Sequence, residues 1–382
     1  MRIVVSGGGT AGHITPILAT SAALKSLAKD CELLYIGQSG GMEARIAASA
    51  NIPFATIPAG KFRRLHDASL VNKLMNPQTL GANLIDSTRL VRGILGSLVL
   101  LRRFKPDVVF VKGGYVGLPV GLAAHILRIP YIIHESDVSP GLTNRILSRW
   151  AEKIAVGFPE KMYKTFPKDK LVFVGNPVRA EVLKGHRLEG LTEFGLEDSL
   201  PVVLVTGGSQ GAAAINDAVV DALPGLLEFC QIIHLTGESE LGRINFELSR
   251  MGVFPHSNRY HSFAFLGSEI ASALAASDIV ISRAGANTVA ELAALGKPTI
   301  LIPNYLMAGH QVENAKLLAR LGAVRVLDEQ RLNPARLIEE IRGLLGSQEQ
   351  QDHLGAGISA LSKPDAAKDL ARLILSAGET ST

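Results

Sequence analysis

A histidine, His13, directly follows three glycines, Gly7, Gly9 and Gly12, that stand in G-x-G-x-x-G spacing after an apolar run at residues 3–5. Glycines at a strand-to-helix turn expose backbone N–H groups at a helix N-terminus, a site for phosphate oxygens that needs little side-chain charge. The same helix end disfavours an imidazolium, so a neutral His13 there is a candidate general base. The spacing alone would suit a dinucleotide, but the second apolar run ends at Gly37, Gln38 and Ser39 without the acidic residue a ribose would need. No G-K-[ST] follows either glycine loop, which argues against a P-loop.

A second glycine turn, GGSQGA at residues 207–212, offers Ser209 and Gln210 beside exposed N–H groups and reads as a diphosphate cradle. Arg179 is placed to add a charge-assisted contact, with a plain salt bridge as the alternative. Arg283, Gly285, Asn287, Thr288 and Glu291 end one strand-like run and begin a helical one, a further anion site in which Glu291 could receive two vicinal ribose hydroxyls or simply cap the helix. His310, Gln311 and Asn314 suit a sugar's hydroxyl rim. His134, Glu135 and Asp137 leave another strand-like run together: Asp137 could accept a hydroxyl proton or orient His13, and Glu135 either shares that work or braces the loop. No H-E-x-x-H or third ligand at metal spacing accompanies them, so no metal is placed; a divalent ion could assist a diphosphate, but helix ends and Arg suffice.

The elements that must position these groups follow from hydrophobic patterning. RIVVS, LLYIG, DVVFV, PYIIH, KIAVG and LVFV recur ahead of helix-like stretches in the first 175 residues. After a charged, glycine-containing loop at 184–199, the pattern restarts with PVVLVT, QIIHLT, DIVIS, PTILI and AVRVL. Such alternation predicts α/β domains with parallel sheets, and two of them in tandem. The chain of 382 residues, 47% hydrophobic, with 39 Lys+Arg against 35 Asp+Glu, is long enough for two such cores. That composition excludes a disordered or nucleic-acid-binding tail. Expected boundaries are 1–178 with 358–382 packing back on it, and 179–357. Residues 173–179 (FVGNPVR) are the hinge candidate, 346–357 the return crossing or a surface linker, and 364–376 an amphipathic helix. Substrate is expected in a cleft between two Rossmann-like domains, at the carboxyl ends of both sheets. Cys31 and Cys230 form no CxxC motif. Met1 and Arg2 lead straight into IVVS without room for a secretory signal, and the apolar segment 93–101 is too short to span a bilayer before Arg102, Arg103 and Lys105; a cytoplasmic protein with at most peripheral membrane contact is expected.

The motifs taken together are more specific. GGGTAGHITP at 7–16, GGYVGLPVGLAA at 113–124, HESDVSPGLTN at 134–144, GNPVR at 175–179, GGSQGA, SRAGANTVAE and HQVENA resemble the bacterial peptidoglycan glycosyltransferases that make lipid II, over essentially the whole chain. The resemblance implies the glycosyltransferase B type of fold. It also implies transfer of N-acetylglucosamine from its uridine diphosphate donor (UDP-GlcNAc) to undecaprenyl-diphospho-N-acetylmuramoyl-pentapeptide (lipid I), with inversion to a β1,4 linkage, at the cytoplasmic face of the membrane and without a required cofactor. On the donor it places Arg179, Ser209 and Gln210 near the diphosphate, Phe263 beside uracil, Ala286, Asn287 and Thr288 at the helix end, Glu291 on ribose and Gln311 on the sugar. Thr10, Ala11 and Gly12 would line the reacting cleft against the donor. On the acceptor it places Gly9, His13, Gly113, Gly114, Tyr115, His134 and Asn144. Relatives commonly carry glycine at Ala11 and Gln-Asn at Ser136 and Asp137, differences that look like those of a Gram-positive subgroup; an amide at 137 could not serve as base, whereas Asp137 could replace His13 in that job. An apolar patch of Leu65, Leu70, Val71, Leu74 and Met75 with residues 93–105, fringed by Lys and Arg, would meet anionic lipid or else be core helix. Cell-wall synthesis proteins are further expected partners. The alternatives are a glycosyltransferase of this fold, or a UDP-sugar 2-epimerase, acting on a soluble substrate. A sugar-binding module without activity would have no need of His13 and the 134–137 cluster.

Overall fold

The computed structural model describes residues 1–9, 11–40, 42–60, 77–208, 211–252, 255–305 and 309–379. The chain divides into two compact units, Met1–Pro177 with Lys363–Thr382, and Val178–Ser362. In the first, β1 (Arg2–Ser6), β2 (Glu32–Gln38), β3 (Phe54–Ile57), β4 (Val108–Val111), β5 (Tyr131–Glu135), β6 (Lys153–Val156) and β7 (Leu171–Phe173) form one sheet in the order β3-β2-β1-β4-β5-β6-β7. In the second, β8 (Val202–Thr206), β9 (Gln231–Leu235), β10 (Tyr260–Phe263), β11 (Ile279–Ser282), β12 (Thr299–Leu301) and β13 (Arg325–Val326) are ordered β10-β9-β8-β11-β12-β13. The pairings within both sheets are parallel. The central strands carry unbroken apolar runs because helices cover both faces: β4 and β11 are buried along their whole length.

Patterning misses two strands, β3 (FATI) and β10 (YHSF), for one reason. Each ends its sheet, is only partly buried and so lacks the continuous apolar run of an interior strand. Two expected loops are corrected. Within 184–199 the helix Arg187–Glu193 packs on Ile270–Ala276, where Gly190 has no Cβ to collide with the Ser272 backbone. The stretch 346–357 is no crossing but mostly the helix Gln348–Ser359: Ser347 Oγ caps it by accepting from the Gln350 N–H at 3.3 Å, and Gly355 lets its backbone pass close to the Gly296 carbonyl. The chain re-enters the first unit at Lys363, and the helix Ala366–Glu379 places Leu370, Ala371, Ile374 and Ala377 in the same core as Ile3, Val108 and Phe110.

Strand order fixes where ligands go. In each sheet the sequence of strands reverses direction beside the first strand, between β1 and β4 and between β8 and β11. Open parallel sheets leave a crevice at the carboxyl ends of those two strands. The glycine turns at 7–9 and 113–114 follow β1 and β4, and those at 207–211 and 285 follow β8 and β11.

Candidate functional site

In the first unit the two glycine turns interlock. Gly114 (φ +71°) has its missing Cβ directed at the Gly8 carbonyl and 3.1 Å from His13 Cδ2; Gly9 (φ +93°) faces the Tyr115 ring, 2.5 Å from a Cβ built on it. Any larger residue at 114 would displace His13, so glycine here sets the imidazole's position as well as the turn. His13 is the third residue of the helix Ala11–Leu27 and is partly exposed. Tyr35 donates to the Gly7 carbonyl at 2.6 Å and Tyr115 to Gln38 Oε1 at 2.6 Å, fixing both turns from β2.

The turn after β1 is not an empty anion nest. The Gly9 N–H donates to Glu43 Oε1 at 2.7 Å, and the Glu43 carboxyl fills the space where a Gly8 Cβ would stand. Gly9, expected to offer its N–H to acceptor, contributes shape instead. Glu43 was missed by sequence reasoning because its helix, Met42–Ser49, lies far along the chain from the turn it fills.

His134, Glu135 and Asn144, expected at substrate, lie in the interior. His134 is fully buried and its Nε2 is 2.9 Å from the Gly175 carbonyl; burial first, then the Lys112 charge, holds its pKa well below the ordinary histidine value. Glu135 Oε1 accepts from the Asp137 N–H at 3.1 Å, and Oε2 accepts from Gly141 N–H and Asn144 Nδ2, both at 2.9 Å. Its pKa is raised by burial and by Asp137, against Lys112 and these hydrogen bonds. Glu135 therefore takes the loop-bracing alternative, and Asn144, which also donates to the His134 carbonyl, lies beneath Gly113. Asp137 itself is partly exposed. His134 and Glu135 end β5 and Asn144 lies in the helix Leu142–Leu147; of the four, only Asp137, in the loop between, is partly exposed. Thr10 and the apolar patch 65–75 lie outside the described residues.

In the second unit, Arg179 Nε donates to Glu291 Oε1 at 2.9 Å. Glu291 is in the second turn of the helix Ala286–Leu295, so it does not cap it; Gly285 precedes the helix with no side-chain cap and open space where a Cβ would be. A helix N-terminus favours an anion through its dipole. Ala286 is buried at that end, and Asn287 and Thr288 are partly exposed beside it. Arg283 is not part of this anion site: it is buried, donating to the Ile302 carbonyl at 2.9 Å and pairing with Glu329. Gln311 Oε1 accepts from the Asn304 N–H at 3.0 Å, shaping the loop after β12. Phe263, at the end of β10, meets Phe194 edge to face at 5.5 Å between centroids. Ser209 and Gln210 lie outside the described residues; their neighbour Gly211 (φ +75°) abuts the Thr236 carbonyl. Among the described residues no group of three or more His, Cys, Asp or Glu is arranged to hold a metal ion.

A buried relay fixes that Thr236 segment. His234 Nδ1 is 2.9 Å from Tyr260 OH and Nε2 is 3.0 Å from Asn216 Oδ1, and Asn216 Nδ2 donates to the Thr236 carbonyl at 3.0 Å. Sequence patterning passes over His234 because it sits within an apolar run; the isolated polar residue was the available signal. Burial lowers its pKa to about 3. Between that value and the unfolded value near 6.5 the unfolded chain binds the extra proton, so stability is full above pH 6.5 and is lost as pH falls. Going from pH 7 to 5 should cost about 2 kcal/mol through His234. Urea midpoints of the parent and of His234→Gln at both pH values check this; equal pH dependence in the two proteins contradicts it.

Residues 3–156 match the glycosyltransferase family 28 N-terminal domain and residues 202–370 the family's C-terminal domain. A UDP-N-acetylglucosamine–N-acetylmuramyl-(pentapeptide) pyrophosphoryl-undecaprenol N-acetylglucosamine transferase of Bacillus pumilus is 40% identical over 97% of this chain and 97% of its own length. The crystal structure of Acinetobacter baumannii MurG superposes with a TM-score of 0.74 at 26% identity, covering 98% of this chain and 99% of that one. A UDP-GlcNAc 2-epimerase from Neisseria meningitidis, at 16% identity over 98% of this chain and 100% of that one, shares the fold alone, with a TM-score of 0.67.

Proposed function

We propose the following division of labour for this chain, which belongs to the family 28 glycosyltransferases that move N-acetylglucosamine onto undecaprenyl-pyrophosphoryl-N-acetylmuramyl-pentapeptide. The protein is a UDP-GlcNAc-dependent transferase of glycosyltransferase B fold, acting on the lipid-linked acceptor to form lipid II in peptidoglycan synthesis. The acceptor 4-hydroxyl attacks the anomeric carbon, the bond to the diphosphate breaks, and the α-linked donor sugar becomes β1,4-linked. The hydroxyl proton passes to a base of the protein and UDP leaves with the bonding electron pair.

The second unit is the donor side, and one contrast carries that assignment. In the turn after β1 the Gly9 N–H is already taken by Glu43, so that turn has one backbone donor fewer for a diphosphate. The helix Ala286–Leu295 starts at Gly285, which has no side-chain cap and open space where a Cβ would be, and the Arg179–Glu291 pair adjoins that helix. Because Arg179 meets Glu291 through Nε, its terminal NH2 groups are not spent on that pair and can take diphosphate oxygens. Glu291 receives the ribose hydroxyls, Phe263 lies beside uracil, and Gln311 meets the sugar. The first unit binds acceptor: His13 or Asp137 takes the proton, and the Gly113–Gly114–Tyr115 turn shapes the place of the lipid diphosphate. No residue need act as nucleophile, and exclusion of water from the reacting atoms protects the transfer.

The test is direct. Purified protein should move labelled sugar from UDP-GlcNAc to a lipid I analogue with stoichiometric release of UDP; release without transfer, or 2-epimerised product, would favour the soluble-substrate alternatives.

The protein works at the cytoplasmic face of the cell membrane, as a peripheral protein. No helix among the described residues is long and apolar enough to cross a bilayer. The helix Pro77–Phe104 buries Ser97 and Leu101 yet exposes Val91, Leu95 and Val99 by more than half, at i, i+4 and i+8 on one face, with Arg89, Arg92, Arg102 and Arg103 exposed along it. An apolar stripe with basic neighbours suits an anionic lipid surface. Replacing Val91, Leu95 and Val99 together by serine should weaken binding to vesicles containing anionic lipid by about tenfold while transfer to a water-soluble acceptor persists. Undiminished sedimentation with vesicles would remove this face from the interface.

A further inference from the structure

The first unit also contains a buried cation for which neither glycine turn accounts. Lys112 follows β4 with 2% of its surface exposed. Its backbone N–H donates to the Ser6 carbonyl at 2.8 Å, its Cβ lies 2.9 Å from where a Cβ on Gly7 would stand, and its Nζ donates to Ser136 Oγ at 2.7 Å. Burial is the largest influence on Lys112 and lowers its pKa; the Glu135 and Asp137 carboxylates oppose that shift, and Lys112 in turn opposes protonation of the buried His134 ring. Ser136 is held from the other side as well: its carbonyl accepts from Asn176 Nδ2 at 3.2 Å. Asn176 adjoins Gly175, whose carbonyl meets His134. Lys112 thus joins the turn after β1, the loop after β5 and the segment leading to the unit boundary at Pro177.

An ammonium in the interior is costly unless charge and hydrogen bonds compensate, and a methionine of like length would fill the same space without that cost. We propose that Lys112 is a positioning residue for glycosyl transfer, its buried ammonium pinning Ser136 and supplying the counter-charge that holds the Glu135–Asp137 segment in place. It touches no substrate. The inference rests on the transfer reaction proposed above and on the first unit being its acceptor side.

Lys112→Met tests it in the full chain, with kcat and donor KM measured for transfer from UDP-GlcNAc to a lipid I analogue. The expected result, measured well below the variant's thermal midpoint, is a fall in kcat of about thirtyfold with donor KM within about twofold of the parent; the midpoint itself should fall, since Glu135 is left buried without its counter-charge. In an Asp137→Asn background the same substitution should cost less, because one of the two carboxylates it balances is gone. A kcat within about threefold of the parent, or losses that multiply independently in the double variant, overturns the proposal. So does a loss of rate that merely tracks a lowered thermal midpoint. Should Lys112→Met not fold, Ser136→Ala decides: it keeps the lysine but removes its acceptor, and should lower kcat at unchanged donor KM, whereas parental kcat overturns the proposal. The parent assayed alongside separates the two levels: a parent that does not transfer fails the reaction and the proposal together, and a transferring parent leaves any failure with Lys112 alone.

Discussion

His13→Ala lowers kcat for sugar transfer by about 10² to 10⁴ with donor KM changed less than about twofold, the range expected for loss of a general base. The expectation rests on position. His13 sits in the first turn of Ala11–Leu27, partly exposed, with its ring edge set by the missing side chain of Gly114. The missing side chain of Gly114 leaves room for the ring, since a Cβ there would stand 3.1 Å from His13 Cδ2. Asp137→Asn is the paired measurement. Asp137 is the other partly exposed proton acceptor of this region, so whichever variant loses more turnover at unchanged donor affinity identifies the base. Parental turnover in His13→Ala would reject the histidine, and a large rise in donor KM would move it to the donor side.

Glu291→Ala weakens UDP-GlcNAc binding by about 30- to 100-fold. Two ribose hydroxyls donating to a carboxylate are together worth about 2 to 3 kcal/mol, and each 1.4 kcal/mol is tenfold in affinity. The substitution also strips Arg179 of its partner at 2.9 Å, freeing the guanidinium that the diphosphate needs held in place. Discrimination between UDP and its 2′-deoxyribose analogue, measured by calorimetry on the parent and the variant, isolates the ribose contribution: the parent should prefer the ribonucleotide and Glu291→Ala should not. Equal preference in both proteins would take the ribose away from Glu291, and UDP affinity within about threefold of the parent would take the donor away from this helix end.

Much of this architecture is legible in the chain as written. Apolar runs of four or five residues alternating with helix-like stretches locate the interior strands, because a parallel sheet covered on both faces admits little else. The edge strands FATI and YHSF escape the same logic, since one side of an edge strand meets solvent. The helix Gln348–Ser359 is hidden by its own polarity: Gln, Glu, Asp and His dominate its first two turns, and Ser347 as its cap is visible only once the helix is known. For the site, the glycine spacings identify the turns, but spacing does not reveal that the turn after β1 is filled by Glu43.

What the residues settled unaided is local: which turns present N–H groups, which histidine opens a helix, and which carboxylates leave strand ends, all consequences of backbone conformation and short-range spacing. Folding decided what long-range contact alone can decide. It sent His134, Glu135 and Asn144 inward to hold a loop, paired Arg179 with Glu291 across 112 positions, and brought Lys112 beneath Ser136. The reason is physical: a polar side chain acquires its role from the partner that satisfies it once water is excluded, and that partner is chosen by the packing of strands and helices distant in sequence.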